Sequence, residues 1–359
     1  MNFTSDNAYG AAPEILAALA DANAGTAAPY GEDELTARVT RVLGEIFERE
    51  VAVFPVVTGT AANALALATV APPYGAIFCH AQSHIAVDEC AAPEFFSGGA
   101  KLVHLEGTHG KITPVTVDSA LTHYRGGVHS PKPSAISITQ STERGTVYRP
   151  EEIRGLSEVA KRERMALHMD GARFANALAF LNCAAADITW KVGVDVLSFG
   201  ASKNGALCAE AVVFFDPSLV RDFEYRRKRA GHLLSKIRFV SAQLEAYLAE
   251  DRWLKWAALA NTKPSGWRPH CVTFPTSSSR IPSRPTKSLH CCPTQWCGAF
   301  AKRACNFTIG QRQRMDECWS ASCCPFSRLR RISNAFLQSC HSNEARIHHE
   351  FRLLNAHSI

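Results

Sequence analysis

The feature that most constrains this chain is the alternation, between residues 51 and 261, of short apolar runs with alanine-rich or amphipathic stretches. Val51–Val57, Ala76–His80, Lys101–Leu105, Ala135–Thr139, Ala166–Met169, Asp195–Phe199 and Ala211–Phe215 read as strands. Ala61–Thr69 and Pro150–Arg164 read as helices. The second opens with Pro150-Glu151-Glu152, a proline tolerated in a first turn and two acids at the positive end of the helix dipole. Leu219–Tyr247 reads as one further helix. Its basic run, Arg226–Arg229, is expected to be a solvated face or subunit contact rather than a nucleic-acid interface. This pattern predicts an α/β fold with a mostly parallel sheet and helices on both faces.

Length and composition set the frame. The 359 residues are enough for two domains and a large core. No apolar run is long enough to span a bilayer. The N-terminus lacks a basic segment followed by a hydrophobic stretch, so a cytoplasmic protein is expected. The net charge of +6 hides a break. Residues 1–261 carry 25 Lys/Arg against 29 Asp/Glu, whereas residues 262–359 carry 14 against 4 and hold nine of the 13 cysteines.

Two strand ends carry the chemistry. Asp170 closes the strand in Ala166-Leu167-His168-Met169-Asp170-Gly171-Ala172-Arg173, and Lys203 follows the strand in Val196-Leu197-Ser198-Phe199-Gly200-Ala201-Ser202-Lys203. Open α/β sheets bind ligands at the carboxyl ends of their strands. A lysine there can form a Schiff base with an aldehyde, and a carboxylate can keep a pyridine nitrogen protonated. Together they predict pyridoxal 5'-phosphate (PLP) as cofactor. The plain alternatives are a surface lysine in a turn and a turn aspartate. Small neighbours, Gly200, Ala201, Ser202 and Gly205, would let a bulky ring approach the backbone.

Four further elements fit around this pair. Thr58-Gly59-Thr60 follows a strand and opens a helix, a phosphate site if not a simple threonine cap. His84 would lay its imidazole on the ring face and assist proton transfer, unless it is structural. Arg173 would bind a cofactor oxygen or a substrate carboxylate, and Ser5, in Ser5-Asp6-Asn7, would reach the carboxylate from an N-terminal arm. His168 lies two residues before Asp170 and either buttresses it or packs.

Ser5-Asp6-Asn7, Tyr30-Gly31-Glu32-Asp33, Thr58-Gly59-Thr60, Ser83-His84-Ile85, His168–Arg173 and Ser202-Lys203-Asn204-Gly205 occur in the order found in low-specificity L-threonine aldolases, and Gln140–Tyr148 resembles their bacterial branch. The resemblance covers residues 2–261. It implies a fold-type I, PLP-dependent transferase-like architecture and the cleavage of 3-hydroxy amino acids to glycine and an aldehyde. It assigns the cofactor to Lys203, its ring nitrogen to Asp170, its phosphate to the Gly59 and Thr60 region and its ring face to His84. The substrate carboxylate falls to Ser5 and Arg173. It implies no metal, a small amino acid as the partner molecule, and a homodimer or homotetramer with shared sites; neither nucleic acid nor membrane is expected. Another fold-type I PLP lyase, a transaminase-like enzyme and a non-catalytic truncated product are the competing readings.

The expected organisation is an N-terminal arm over residues 1–20, a PLP-binding large domain over 21–240, the start of a small domain over 241–261, and an aberrant tail over 262–359. The tail reads as a frameshift near Asn261: Cys, Ser, Arg, Pro and His rise together while acids nearly vanish. Cys305–Gly310, read two nucleotides later, has codons that permit Gln-Phe-Tyr-Asp-Trp, resembling the family at that point. A cysteine-rich zinc module is disfavoured because no Cys-x2-Cys pairs occur at the usual spacing. Loss of the small domain would expose apolar surface and reduce solubility and activity.

Overall fold

The computed structural model describes residues 5–262 apart from residue 221. The tail expected to be aberrant, with its frameshift and metal readings, lies outside the described residues beyond Thr262. Among the described residues seven strands form one sheet: β1 (Ala52–Val56), β2 (Gly75–His80), β3 (Lys101–Leu105), β4 (Lys132–Thr139), β5 (Ala166–Gly171), β6 (Val196–Gly200) and β7 (Glu210–Phe214). Their order is β1-β7-β6-β5-β4-β2-β3. The β6–β5, β5–β4, β4–β2 and β2–β3 pairs are parallel. Only β7 runs the other way, antiparallel to both β6 and β1.

Helices cover both faces, and the pleat explains which residues meet them. The longer helices before β4 are α1 (Pro13–Ala22), α2 (Glu34–Ile46), α3 (Gly59–Val70), α4 (His84–Val87), α5 (Ala92–Ser97) and α6 (Pro114–Leu121). After it come α7 (Pro150–Arg162), α8 (Phe174–Leu181), α9 (Phe223–Arg229), α10 (Arg238–Leu248) and α11 (Arg252–Asn261). Leu167, Met169, Leu197 and Phe199 point into the large core shared with α7, α8 and α10. Val196, Val212 and Phe214 point the opposite way, against Ala61, Ala62 and Leu65 of α3. His168 and Asp170 alternate with Leu167 and Met169, so they face the α3 side. Helix α1 packs on α10, and α11 packs on α8.

Two expectations are corrected. Leu219–Tyr247 is not one helix: α9 ends at Arg229, Gly231 adopts φ +78°, and α10 begins only at Arg238. A left-handed glycine stops the helix although the apolar spacing continues through it. The basic run is not wholly solvated either. Arg227 is buried, its guanidinium 5.4 Å from the Phe54 ring centroid and its Nη1 donating to the Pro55 carbonyl at 3.4 Å. No helix among the described residues is long and apolar enough to cross a membrane.

Candidate active site

The parallel strands deliver their carboxyl ends to one edge of the sheet, and the singled-out residues lie there. Asp170 is the last residue but one of β5, beside β6, and Lys203 sits in the turn Ser202–Asn204 just after β6. The charges of Asp170 and Lys203 both act on His84 and on Glu210, which fixes all four in one neighbourhood.

Asp170 is buried and held from two sides. Its Oδ1 accepts the Ala172 N–H at 2.9 Å and its Oδ2 accepts from Asn63 Nδ2 at 2.9 Å. Each oxygen keeps a second lone pair, so the carboxylate can still receive a ring N–H. Gly171 makes this turn possible. A Cβ there would lie 2.7 Å from both Leu197 Cδ1 and the Ser198 carbonyl oxygen. One layer deeper, His168 accepts no role toward Asp170 by hydrogen bond. Its ring is shared between Ser137 Oγ (2.9 Å) and Ser198 Oγ (3.0 Å), and burial pushes it down to about 4, so it stays neutral.

The Lys203 turn is pinned by its neighbours. Asn204 Nδ2 donates to the Tyr247 hydroxyl (2.8 Å) and to the Trp253 carbonyl (2.9 Å), and the Gly205 carbonyl accepts the Ala12 N–H. The Ser202 N–H is given to Glu210 Oε1 at 3.3 Å. The glycines near Lys203 serve the chain's own packing. A Cβ at Gly200 would meet Ala172 Cα at 2.7 Å, and one at Gly205 the Trp256 ring at 2.9 Å.

Thr58 caps α3, its Oγ1 accepting the Ala61 N–H at 3.1 Å, so the capping reading of this threonine holds. The helix start is nonetheless open. A Cβ added at Gly59 would meet nothing within 4 Å, which leaves the free N–H groups of Gly59 and Thr60 room for an anion. One turn on, Asn63 of the same helix reaches Asp170.

His84 begins α4. Its N–H donates to Glu143 Oε1 at 2.8 Å and its Nδ1 lies 2.8 Å from Glu89 Oε1. The hydrogen bond to Glu89 raises the His84 pKa, against the opposing effect of burial. Burial pushes both Glu89 and Glu143 up, and the nearby Asp170 charge adds to it.

Arg173 is buried and engages the N-terminal arm, its Nε 2.9 Å and its Nη2 2.8 Å from Asp6 Oδ2. Ser5 is next to that contact, but its Oγ accepts the Asn7 N–H at 3.2 Å and so caps the short 3-10 turn Asp6–Ala8. The arm packs against the Lys203 turn. The predicted carboxylate-binding pair is thereby brought to the lysine.

Sequence reasoning missed Asn63, Glu89, Glu143 and Glu210. Asn63 was visible as a lone amide in an apolar helix, a buried polar group that must find partners. Glu210 was hidden by strand direction. Because β7 is antiparallel, its first residue pairs with Gly200, the last of β6, and falls on the same edge. Burial raises its carboxyl to about 7.

Comparison with known proteins follows the same line. A family model described as beta-eliminating lyase matches residues 2–349. The low specificity L-threonine aldolase of Pseudomonas aeruginosa is 48% identical over 260 residues, 72% of this chain and 75% of that protein. That of Saccharomyces cerevisiae is 31% identical over 171 residues, 46% of this chain and 42% of that one. Among solved structures, a Leishmania major threonine aldolase superposes with a TM-score of 0.68 at 29% identity, over 72% of this chain and 75% of that chain. An alanine–glyoxylate aminotransferase from Nostoc sp. shares the fold alone (TM-score 0.52, 15% identity, 72% and 70% covered).

Proposed function

Since this chain belongs to the beta-eliminating lyase family, we propose that it uses PLP to cleave threonine-like 3-hydroxy amino acids into glycine and an aldehyde. The observation that carries the reading is the meeting of Lys203 and Asp170 at the ends of adjacent strands, beside the open N-terminus of α3. An amine, a carboxylate and a set of free N–H groups are the donor set that PLP requires for its aldehyde, ring nitrogen and phosphate. When bound, PLP supplies the electron sink that lets a Cα–Cβ bond break.

The chain's own residues do the rest. Asp170, fixed in place by Ala172 and Asn63, would hold a proton on the ring nitrogen. Arg173 receives the substrate carboxylate, for which the Asp6 carboxylate must make way. His84 accepts the β-hydroxyl proton as that bond breaks, and Glu89 raises its basicity. The small amino acid is the partner molecule, and a homodimer or homotetramer is the assembly proposed.

The test is spectral and chemical. The chain with added PLP is expected to show a visible band that Lys203→Ala loses, and to release acetaldehyde from L-threonine. A band without acetaldehyde would favour another PLP lyase or a transaminase-like activity. No band and no cooperative unfolding would indicate a non-catalytic product.

The tail is best explained by a change of reading frame near Asn261. The charge break supports it, as does the match to the bacterial aldolases over 260 and 259 residues. The family match running on to residue 349 weighs against it. Resequencing decides: one uninterrupted frame, with no insertion or deletion nearby, would end the idea.

A further inference from the structure

Resting on that reading for the role of His84, we propose that Glu89 is a positioning residue of the site. Its Oε1 keeps the neutral His84 ring protonated on Nδ1, leaves Nε2 as the proton acceptor, and through the Asn63 amide ties that ring to Asp170. The proton positions follow from donor chemistry. Asn63 Nδ2 lies 2.8 Å from Glu89 Oε1 and 2.9 Å from Asp170 Oδ2. An amide nitrogen has two hydrogens and ionised carboxylates only accept, so each hydrogen goes to one carboxylate. Turning the amide over would set its oxygen between two carboxylates, so the orientation is forced.

The same Oε1 that takes the Asn63 hydrogen lies 2.8 Å from His84 Nδ1. Burial and the Asp170 charge push the Glu89 carboxyl up and the His84 and Asn63 hydrogen bonds oppose them, while the oxygen that takes the Asn63 hydrogen acts as an acceptor rather than as the hydroxyl of a protonated acid. It must then receive the Nδ1 proton, and the lone pair of the neutral ring is left on Nε2. A carboxylate behind an imidazole orients it and strengthens it as a base in this way. Glu89 is buried, whereas the His84 side chain keeps 24% of its surface exposed, so the rigid partner is the carboxylate.

The charged groups acting on His84 come from several elements. Glu89 lies just beyond α4, Asp170 on β5, and Lys203 on the turn after β6; Glu143 reaches only the backbone N–H. Glu89 and Asp170 raise the proton affinity of His84, and Lys203 lowers it. The Asn63 bridge makes the protonation of His84 and the charge on Asp170 interdependent, which links the group that moves the proton to the one that holds the ring nitrogen.

The test uses the full-length chain without cofactor, labelled with 15N-histidine and sedimented for solid-state NMR, with the His84→Gln spectrum giving the assignment. The neutral His84 signal is expected to show a protonated Nδ1 and a bare Nε2. Glu89→Gln, which keeps the shape but not the charge, is expected to lower His84 proton affinity by about tenfold. An Nε2–H ring in the unmodified chain, or an unchanged titration in a folded Glu89→Gln variant, would overturn the proposal. If that variant does not fold, the tautomer in the unmodified chain decides alone. Failure of the aldolase reading would show separately, as absent acetaldehyde release with the tautomer as expected.

Discussion

Asp6 of the N-terminal arm presents one carboxylate oxygen to both Nε and Nη2 of Arg173, the two contacts being 2.9 and 2.8 Å. A substrate carboxylate would make the same two contacts. Asp6→Ala leaves a buried guanidinium without its carboxylate and should destabilise the chain by about 3 kcal/mol. Acetate or glycine at millimolar concentration should restore part of the lost melting temperature in the variant and add little to the parent. Equal effects on both proteins would show that Arg173 has no special affinity for small carboxylates.

Glu210 should make the fold weaker in alkali. Its carboxyl rises from 4.5 to about 7 on burial, so the stability it contributes is complete below pH 4.5 and lost as pH climbs through 7. Ionising it costs the folded chain about 3 kcal/mol more than the unfolded one. Glu210→Gln keeps the bond from the Ser202 N–H and removes that cost. Urea unfolding should find the variant more stable at pH 8 and equal at pH 4.

His168 should do the opposite. Burial lowers it from 6.5 to about 4, so the unfolded chain binds a proton that the folded chain refuses. Its contribution is present above pH 6.5 and is lost as pH falls toward 4, by about 3 kcal/mol. His168→Gln should flatten the stability profile over that window. An unchanged slope between pH 6.5 and 4.5 would assign the acid sensitivity to other groups.

Two glycines should respond in contrary ways. Gly171→Ala places a methyl 2.7 Å from Leu197 Cδ1 and the Ser198 carbonyl, and is expected to cost about 2–3 kcal/mol by overpacking. Gly59→Ala meets no protein atom within 4 Å and should leave the melting temperature unchanged or slightly raised. Its effect should fall on PLP affinity, weakened at least tenfold, because the methyl fills the space at the α3 start. Undiminished PLP affinity would move the phosphate elsewhere.

Much of this site was legible because each of its early markers follows an apolar strand. Lys203, Asp170 and Thr58–Thr60 needed only the rule that parallel strands present their carboxyl ends together. What escaped was whatever broke that rule or belonged to the supporting shell. Glu210 begins its strand, Asn63 sits inside a helix with no polar stripe, and Glu89 and Glu143 come from loops. Ser5 and Arg173 were legible as a pair, yet Asp6, the residue that occupies Arg173, stood between the two and was read only as part of the arm. The break after Arg229 was invisible because hydrophobic spacing does not report a left-handed glycine.

Asn204 hangs the lysine turn from the Tyr247 hydroxyl and the Trp253 carbonyl. Asn261, in turn, clasps Asn176 through reciprocal amide bonds. A nascent chain therefore reaches its nucleophile some fifty residues before the supports that hold it have been synthesised. A translation arrest ahead of α11 would yield a polypeptide with every reactive group present but with the lysine turn lacking its Trp253 support.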